Sequence, residues 1–426
     1  MKSVLILCPT SREYRYLPGV AAEVGCRLVF EEFAGDYFDR QLAGERQSAT
    51  SQLDILALIE TTIERYRHSD IAGVTSGVGY PGMPVASIVA ERLGLAGVKV
   101  ERVLRCEHKY YSRVAQRTLL PSATPSFQIV PPTGLADDAL DLPFPLFLKP
   151  VKSCFSINAQ KISSLPELRR VAAASLLPEG FLRPFNDLLT AHTDYEYDAS
   201  YLLAEALLEG MQVSLEGYVF GGRVHVLGII DSVMFPGTIS FERFVYPSRL
   251  PAEVQTRMSQ IAETFIGGIG YDNALFNMEL TYHPATGEIH IIEVNPKIAS
   301  QFPDLFEKVD GMSSYAPLLQ VALGEEPAFP SGQGDFKLAA SCVLRTFADK
   351  RVTRVPSFEQ LAALARVFPD ARVEVAVAAG DLLSDIMQDG KSFRYGLVNI
   401  GANSLEELDA KLAFCENLLD FGFAAP

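Results

Sequence analysis

The stretch FNMELTYHPATGEIHIIEVNP, Phe276–Pro296, decides how the rest of the chain is read. NMEL and IIEVN have strand composition, and HPATGE between them carries turn chemistry. A hairpin folded about Thr286 sets Glu279 opposite Glu293 and Asn277 opposite Asn295. The two-residue period of a strand puts those four on one face. Met278, Leu280, Ile292 and Val294 then fall on the other face, ready for a core. Directly opposed glutamates repel each other, and a bound cation reverses the sign of that interaction. Carboxylate and amide oxygens are the donors Mg²⁺ accepts, with substrate phosphates completing its shell. The plainer alternative is a half-exposed hairpin with a polar outer face.

Phosphates next to such acids need cations, and two lysines qualify. Lys149 ends the apolar run FPLFLKPV, so a sheet can hold its stem and aim its point charge. The KSCFS segment after it offers backbone N–H groups and the hydroxyls of Ser153 and Ser156. Lys109 opens a basic run, RCEHKYYSRVAQRTLL, expected to be one helix ending before Pro121, with Arg113 and Arg117 on the same face. Either lysine could equally be a solvated side chain.

The 426 residues exceed one ordinary domain. The first hundred alternate strand and helix signals (SVLILCP, YLPGVAAEVG, CRLVFEEF, SQLDILALIETTIERYRH, IAGVTS, MPVASIVAERLGL), which predicts a small open α/β unit. VKVERV alternates and is expected to be a further strand. PSATPSF and PPTG mark a boundary. The chain then reads as α+β, with strands in YLLAEALL, QVSLEGYVF and RVHVLGIIDSV. PAFPSGQGDF is the expected linker to a last unit beginning at KLAASCVLRTF. The formal net charge of −15 disfavours general binding to nucleic acid or anionic membranes. Six cysteines without a CxxC pair suggest reduced thiols and a cytoplasmic protein. No apolar run reaches the length of a membrane span.

The order Lys109, PSATPSF, FLKP, AEALLEG…SLEGYVFGG, NMEL…IIEVNPK resembles the ATP-grasp superfamily, in particular its carboxylate–amine ligases and biotin-carboxylase-like members. The resemblance covers roughly residues 1–420. It implies a multidomain α/β and α+β chain: an N-terminal pre-ATP-grasp domain at 1–105, an ATP-grasp domain at 106–330 with a mobile lid at about 122–203, and a C-terminal α+β lobe at 331–426. It implies ATP as a ligand, with Mg²⁺ or Mn²⁺. Lys109 and Lys149 resemble the phosphate-binding lysines, and KSCFS the loop covering the phosphates. Glu205 opens the stretch EALL, which resembles the segment that reads adenine, and the resemblance implies backbone groups from Ala206 and Leu208. Gln212 stands where many relatives have a ribose-binding acid. Glu279, Glu293 and Asn295 resemble the metal ligands. Lys297 replaces the Arg that commonly follows EVNP, exchanging a planar fork for a point charge. The implied reaction activates a carboxylate as an acyl phosphate for attack by an amine, with Lys297 and Asn295 at the reacting centre. The implied partners are small-molecule acid and amine substrates, without nucleic acid or membrane, and a second copy of the chain in a homodimer.

Two other readings compete. Gly77, Gly79 and Gly82 form G-x-G-x-x-G after a strand, with Glu101 nineteen residues past Gly82, the pattern of an NAD-dependent oxidoreductase. Pro81 stiffens that turn, and it sits on a later strand than the fingerprint uses. The second is a nucleotide-binding protein without catalysis, favoured by Lys297. His108 and His290 have no visible catalytic partner in the sequence, so surface or supporting roles are expected.

Overall fold

The computed structural model describes residues 1–32, 53–136, 139–154, 156–175, 177–386 and 391–426. It begins with a parallel three-stranded sheet in the order Arg27–Glu31, Ser3–Leu7, Ile71–Thr75. Every residue of the central strand is buried, as expected of a parallel strand covered on both faces. Helices Ser11–Val24, Ile55–Tyr66 and Gly82–Arg92 follow the predicted positions.

Two predictions fail just beyond. VKVERV does not form a strand: Val100–Glu107 is a helix, with Val100, Val103 and Leu104 buried at helical spacing. The short apolar alternation fitted both periods, and packing on the Gly82–Arg92 helix selects the longer one. The basic run is also not one helix. It breaks at His108, whose φ of −93° and ψ of 98° are extended, and restarts as Lys109–Leu119. The backbone N–H of Lys109 donates to the Val151 carbonyl at 2.9 Å. The break therefore seats Lys109 beside the end of the strand that carries Lys149.

That strand belongs to a four-stranded antiparallel sheet, ordered Phe127–Val130, Leu202–Ala206, Leu146–Pro150, Gln160–Ile162. Leu146, Leu148, Ile162 and Leu202 pack there against Leu168 and Val171 of the Leu165–Ala174 helix. The second sheet has eight strands, ordered Ile289–Asn295, Ala274–Tyr282, Met211–Phe220, Arg223–Met234, Phe241–Tyr246, Leu338–Thr346, Phe393–Ala402, Arg372–Val375. All its pairs are antiparallel. The last three strands lie beyond residue 331, so the sheet runs on past the expected linker.

The deciding hairpin forms with Glu279 opposite Glu293 and Asn277 opposite Asn295. Its apolar face packs on the Ala252–Gly268 helix through Val254, Met258 and Phe265. One detail departs from the sequence reading. A bulge follows Glu279, so Leu280 faces Ile291 rather than Ile292. Ile291 is fully buried and takes the core place expected of Ile292, which is only half-buried. Among the described residues no helix is long and apolar enough to cross a membrane.

Candidate active site

Three strands build the acidic row. Glu279 and Asn277 lie between Glu293 and Asn295 on one side and Ser214 and Glu216 on the other. The Gln212 amide donates to Glu279 at 2.9 Å. The Asn277 amide donates to Ser214 and Glu216, and the Asn295 amide to Asn277, each at 3.4 Å. Because Asn295 donates through its nitrogen, its carboxamide oxygen is the atom suited to a cation. Loss of solvation, and then the charge of Glu293, push the Glu279 carboxyl up to about 7. Burial also acts on Glu293, but Lys109 and Lys149 outweigh it and hold that carboxyl below its usual range. Two carboxylates and a carboxamide on one face, one acid raised chiefly by burial and the other lowered by the lysines, are an oxygen-donor set that a hard divalent cation fits.

The basic groups face this row. The Lys109 ammonium lies 2.9 Å from Glu293 and donates to the Ser153 carbonyl at 3.3 Å. Lys149 lies 2.7 Å from Glu205 and 3.5 Å from the Ile292 carbonyl. Arg113 is buried, bonds Glu205 through Nε and donates to the Ile292 carbonyl at 2.7 Å. The bulge thus has a use: the carbonyl of the extra residue receives both cations. Desolvation lowers the Lys149 pKa although Glu205 opposes it, and the two cations hold Glu205 below its usual range against its own burial. Arg117, at the expected spacing on the Lys109–Leu119 helix, lies over the Phe127 ring.

Several of the expected residues have other contacts. The Glu205 side chain anchors Arg113 and Lys149. The Ala206 N–H donates to the Ser126 carbonyl at 2.9 Å, and Leu208 lies beyond the strand end. The Ser153 hydroxyl donates to the Ile157 carbonyl at 2.9 Å, while Ser156 is exposed with φ of 56°. Phe155 lies outside the described residues. His108 is wholly buried, packed on Tyr111 and Tyr195, rather than at the surface.

Sequence reasoning missed the Arg113–Glu205 pair, the Lys152–Glu107 pair and Glu216. The pairs join residues far apart in sequence, and no local pattern encodes them. Glu216 had a signal, since SLEG keeps the same two-residue period as Gln212 and Ser214.

The glycine turn serves packing. A Cβ at Gly79 would meet Glu107 and, at 3.3 Å, Lys297, while one at Gly77 would meet Glu13. The Met83 N–H, at the start of the following helix, already donates to Val78 and Gly79. Glu101 sits on a helix, not at the end of the strand that a dinucleotide fingerprint requires. The turn therefore shapes the surroundings of Lys297.

The family model described as an ATP-grasp domain matches residues 142–302. Among solved structures, the chain is similar to an L-amino acid ligase from Bacillus licheniformis, at 17% identity and a TM-score of 0.73, covering 100% of this chain and 99% of that one. It is similar to a phosphoribosylglycinamide synthetase from Anaerococcus prevotii, at 14% identity, a TM-score of 0.64 and 100% of both chains. A biotin carboxylase from Campylobacter jejuni matches at 15% identity and a TM-score of 0.64, over 100% of this chain and 92% of that one. No curated protein matches in sequence.

Proposed function

We propose that the chain, whose residues 142–302 match an ATP-grasp domain, is an ATP- and Mg²⁺-dependent ligase joining a carboxylate to an amine through an acyl phosphate. The observation that carries this reading is the opposition of Glu279 and Glu293 in one hairpin, faced by Lys109 and Lys149. L-amino acid ligase and phosphoribosylglycinamide synthetase among the similar folds support the amine as acceptor.

Glu279, Glu293 and the Asn295 oxygen would hold Mg²⁺, whose charge would offset that of the transferring phosphoryl group. Lys109 and Lys149 bind the phosphates and supply fixed positive charge as the γ-phosphoryl moves, so catalysis is positioning plus electrostatics. With nucleotide present, Lys109 exchanges Glu293 for phosphate oxygen. Glu205 favours the charged form of Lys149 against its burial and the charge of Arg113, and holds its ammonium in place. The four-stranded sheet acts as the lid, with Lys152, Ser153, Cys154 and Ser156 beside it excluding water from the phosphates and Leu208 contacting the base. Lys297 stabilises the oxyanion formed when the amine attacks.

The test is thermal unfolding of wild type and Glu293→Gln with Mg-ATP, Mg²⁺ alone or NAD(H). A ligand selective for the folded state raises the midpoint by mass action. The expected result is a rise with Mg-ATP that the substitution weakens, followed by acid- and amine-dependent ADP release. A rise with NAD(H) and none with Mg-ATP would overturn the reading.

A further inference from the structure

The glycine turn at 77–82 gathers three charged side chains from other parts of the chain: Glu107, Lys152 and Lys297. Glu107 is the last residue of the Val100–Glu107 helix, two positions before Lys109. Its Oε2 pairs with the Lys152 ammonium. That ammonium also lies 4.9 Å from the centre of the Tyr80 ring and 5.1 Å from that of Phe185. Phe185 is fully buried, in the core that joins the Glu179–His192 helix to the first sheet. Rings therefore hold the Lys152 head group on one side, and Lys152 in turn fixes one oxygen of the Glu107 carboxylate.

The other oxygen, Oε1, turns toward Gly79 and has no hydrogen-bond partner among the described residues. A Cβ on Gly79 would lie 2.5 Å from Oε1 and 3.3 Å from Cδ of Lys297. Glycine at 79 thus lets the carboxylate come against the backbone and places Oε1 beside the Lys297 stem. Gly79 does not have a positive φ, so this close approach, not its backbone conformation, is what calls for glycine. The Glu107 side chain keeps 9% exposure, so Oε1 can be reached and is not sealed in a core. A carboxylate oxygen with little water and no protein donor is an acceptor waiting for an N–H or O–H.

The ligase reading sets Lys297 at the oxyanion, so the nucleophile must approach the acyl carbon beside it. We propose that Glu107 recognises the amino group of the acceptor substrate, a primary amine, through Oε1. Lys152 and Gly79 are the positioning residues, one holding Oε2 and the other leaving room for the carboxylate. Naming the occupant as the acceptor rests on the ligase reading, whereas recognition of an amino group does not.

The test is calorimetric titration of the full chain with L-alaninamide and with propionamide, which lacks the amino group, and with Mg-ATP titrated separately. L-alaninamide is expected to bind, and propionamide at least about tenfold more weakly, since hydrogen bonds to charged groups have that worth. Glu107→Gln is expected to lose the preference while keeping its Mg-ATP affinity, which shows that it folds. Gly79→Ala leaves both charges of the ion pair in place, and its methyl group is expected to displace the carboxylate and abolish the preference too. A pair that served stability alone would not make the two probes differ. Equal weak binding of both probes by wild type, or an unchanged preference in Glu107→Gln, overturns the site. If Glu107→Gln does not fold, an unchanged preference in Gly79→Ala overturns it instead. Absence of Mg-ATP binding, with the preference for L-alaninamide intact, would overturn the ligase reading and leave the amino-group site standing.

Discussion

Glu205 and Glu216 are both buried acids, and their surroundings give them opposite protonation. Glu205 meets two cations and stays charged. Removing it leaves Arg113 and Lys149 buried without their counter-ion, so Glu205→Ala is expected to cost roughly 3–5 kcal/mol and to weaken nucleotide binding, measured by denaturant unfolding and titration. Glu216 instead accepts from the Ala299 N–H at 2.5 Å and from Asn277, and its other oxygen is buried without a partner among the described residues. Desolvation, only partly offset by those donors and Lys297, pushes its pKa up to about 8. The folded state therefore binds this proton more tightly than the unfolded chain. The associated stability is fully present below the unfolded pKa of about 4.5 and is lost as pH rises through about 8. Relative to wild type, Glu216→Gln is expected to gain stability progressively between about pH 4.5 and 8, an interval set by those two values. A difference that stays flat across that range would contradict the assignment. The opposed glutamates were legible because strand period and turn chemistry are local. The buried Arg113–Glu205 pair was not, because its members come from different elements and meet only through tertiary packing.

Elements were legible wherever one periodicity dominated. The hairpin, the first parallel strands and most helices follow the apolar pattern. The His108 break was hidden because the basic run keeps helical spacing on both sides of it, and a hydrogen bond from Lys109 to another strand decides where it turns. The Ile292 bulge was hidden because one inserted residue leaves strand composition unchanged. The link between the two sheets is short, from the strand ending at Ala206 to the one starting at Met211, and Gly210 sits in it with φ of 119°. A Cβ there would run into the backbone carbonyl of Tyr282 and, at 3.0 Å, the Cα of His283. Neither backbone atom can rotate away, and the φ is itself unfavourable for alanine. Gly210→Ala is expected to destabilise by about 1–3 kcal/mol, and to reduce Mg-ATP affinity by displacing Leu208. Titration of the folded variant separates the two effects.

For the molecule as a whole, chain length suggests several units, and the expected linker near residue 330 precedes a C-terminal lobe. Proline and glycine mark a loop but do not say whether the strands on either side pair. Here they do. The Phe241–Tyr246 strand bonds Leu338–Thr346 in register, and Val245 packs with Ala340, Cys342 and Val398 in one core. The bidentate Arg12–Glu374 pair also ties the first helix to the last strand of the sheet. A chain ending at residue 330 would leave the Phe241–Tyr246 strand as an open, apolar edge, a form prone to aggregation. It is expected to be insoluble or to lose its cooperative transition. The last 96 residues alone would lack the strand that completes their core and are expected to remain unfolded, the count following from a chain of 426 residues cut after 330. In calorimetry the full chain is expected to unfold with the eight-stranded sheet melting as one unit, so Val398→Ala should lower the same transition that Mg-ATP raises. Two resolved transitions, with the substitution moving one and the nucleotide the other, would show that the shared sheet does not couple the lobe to the site.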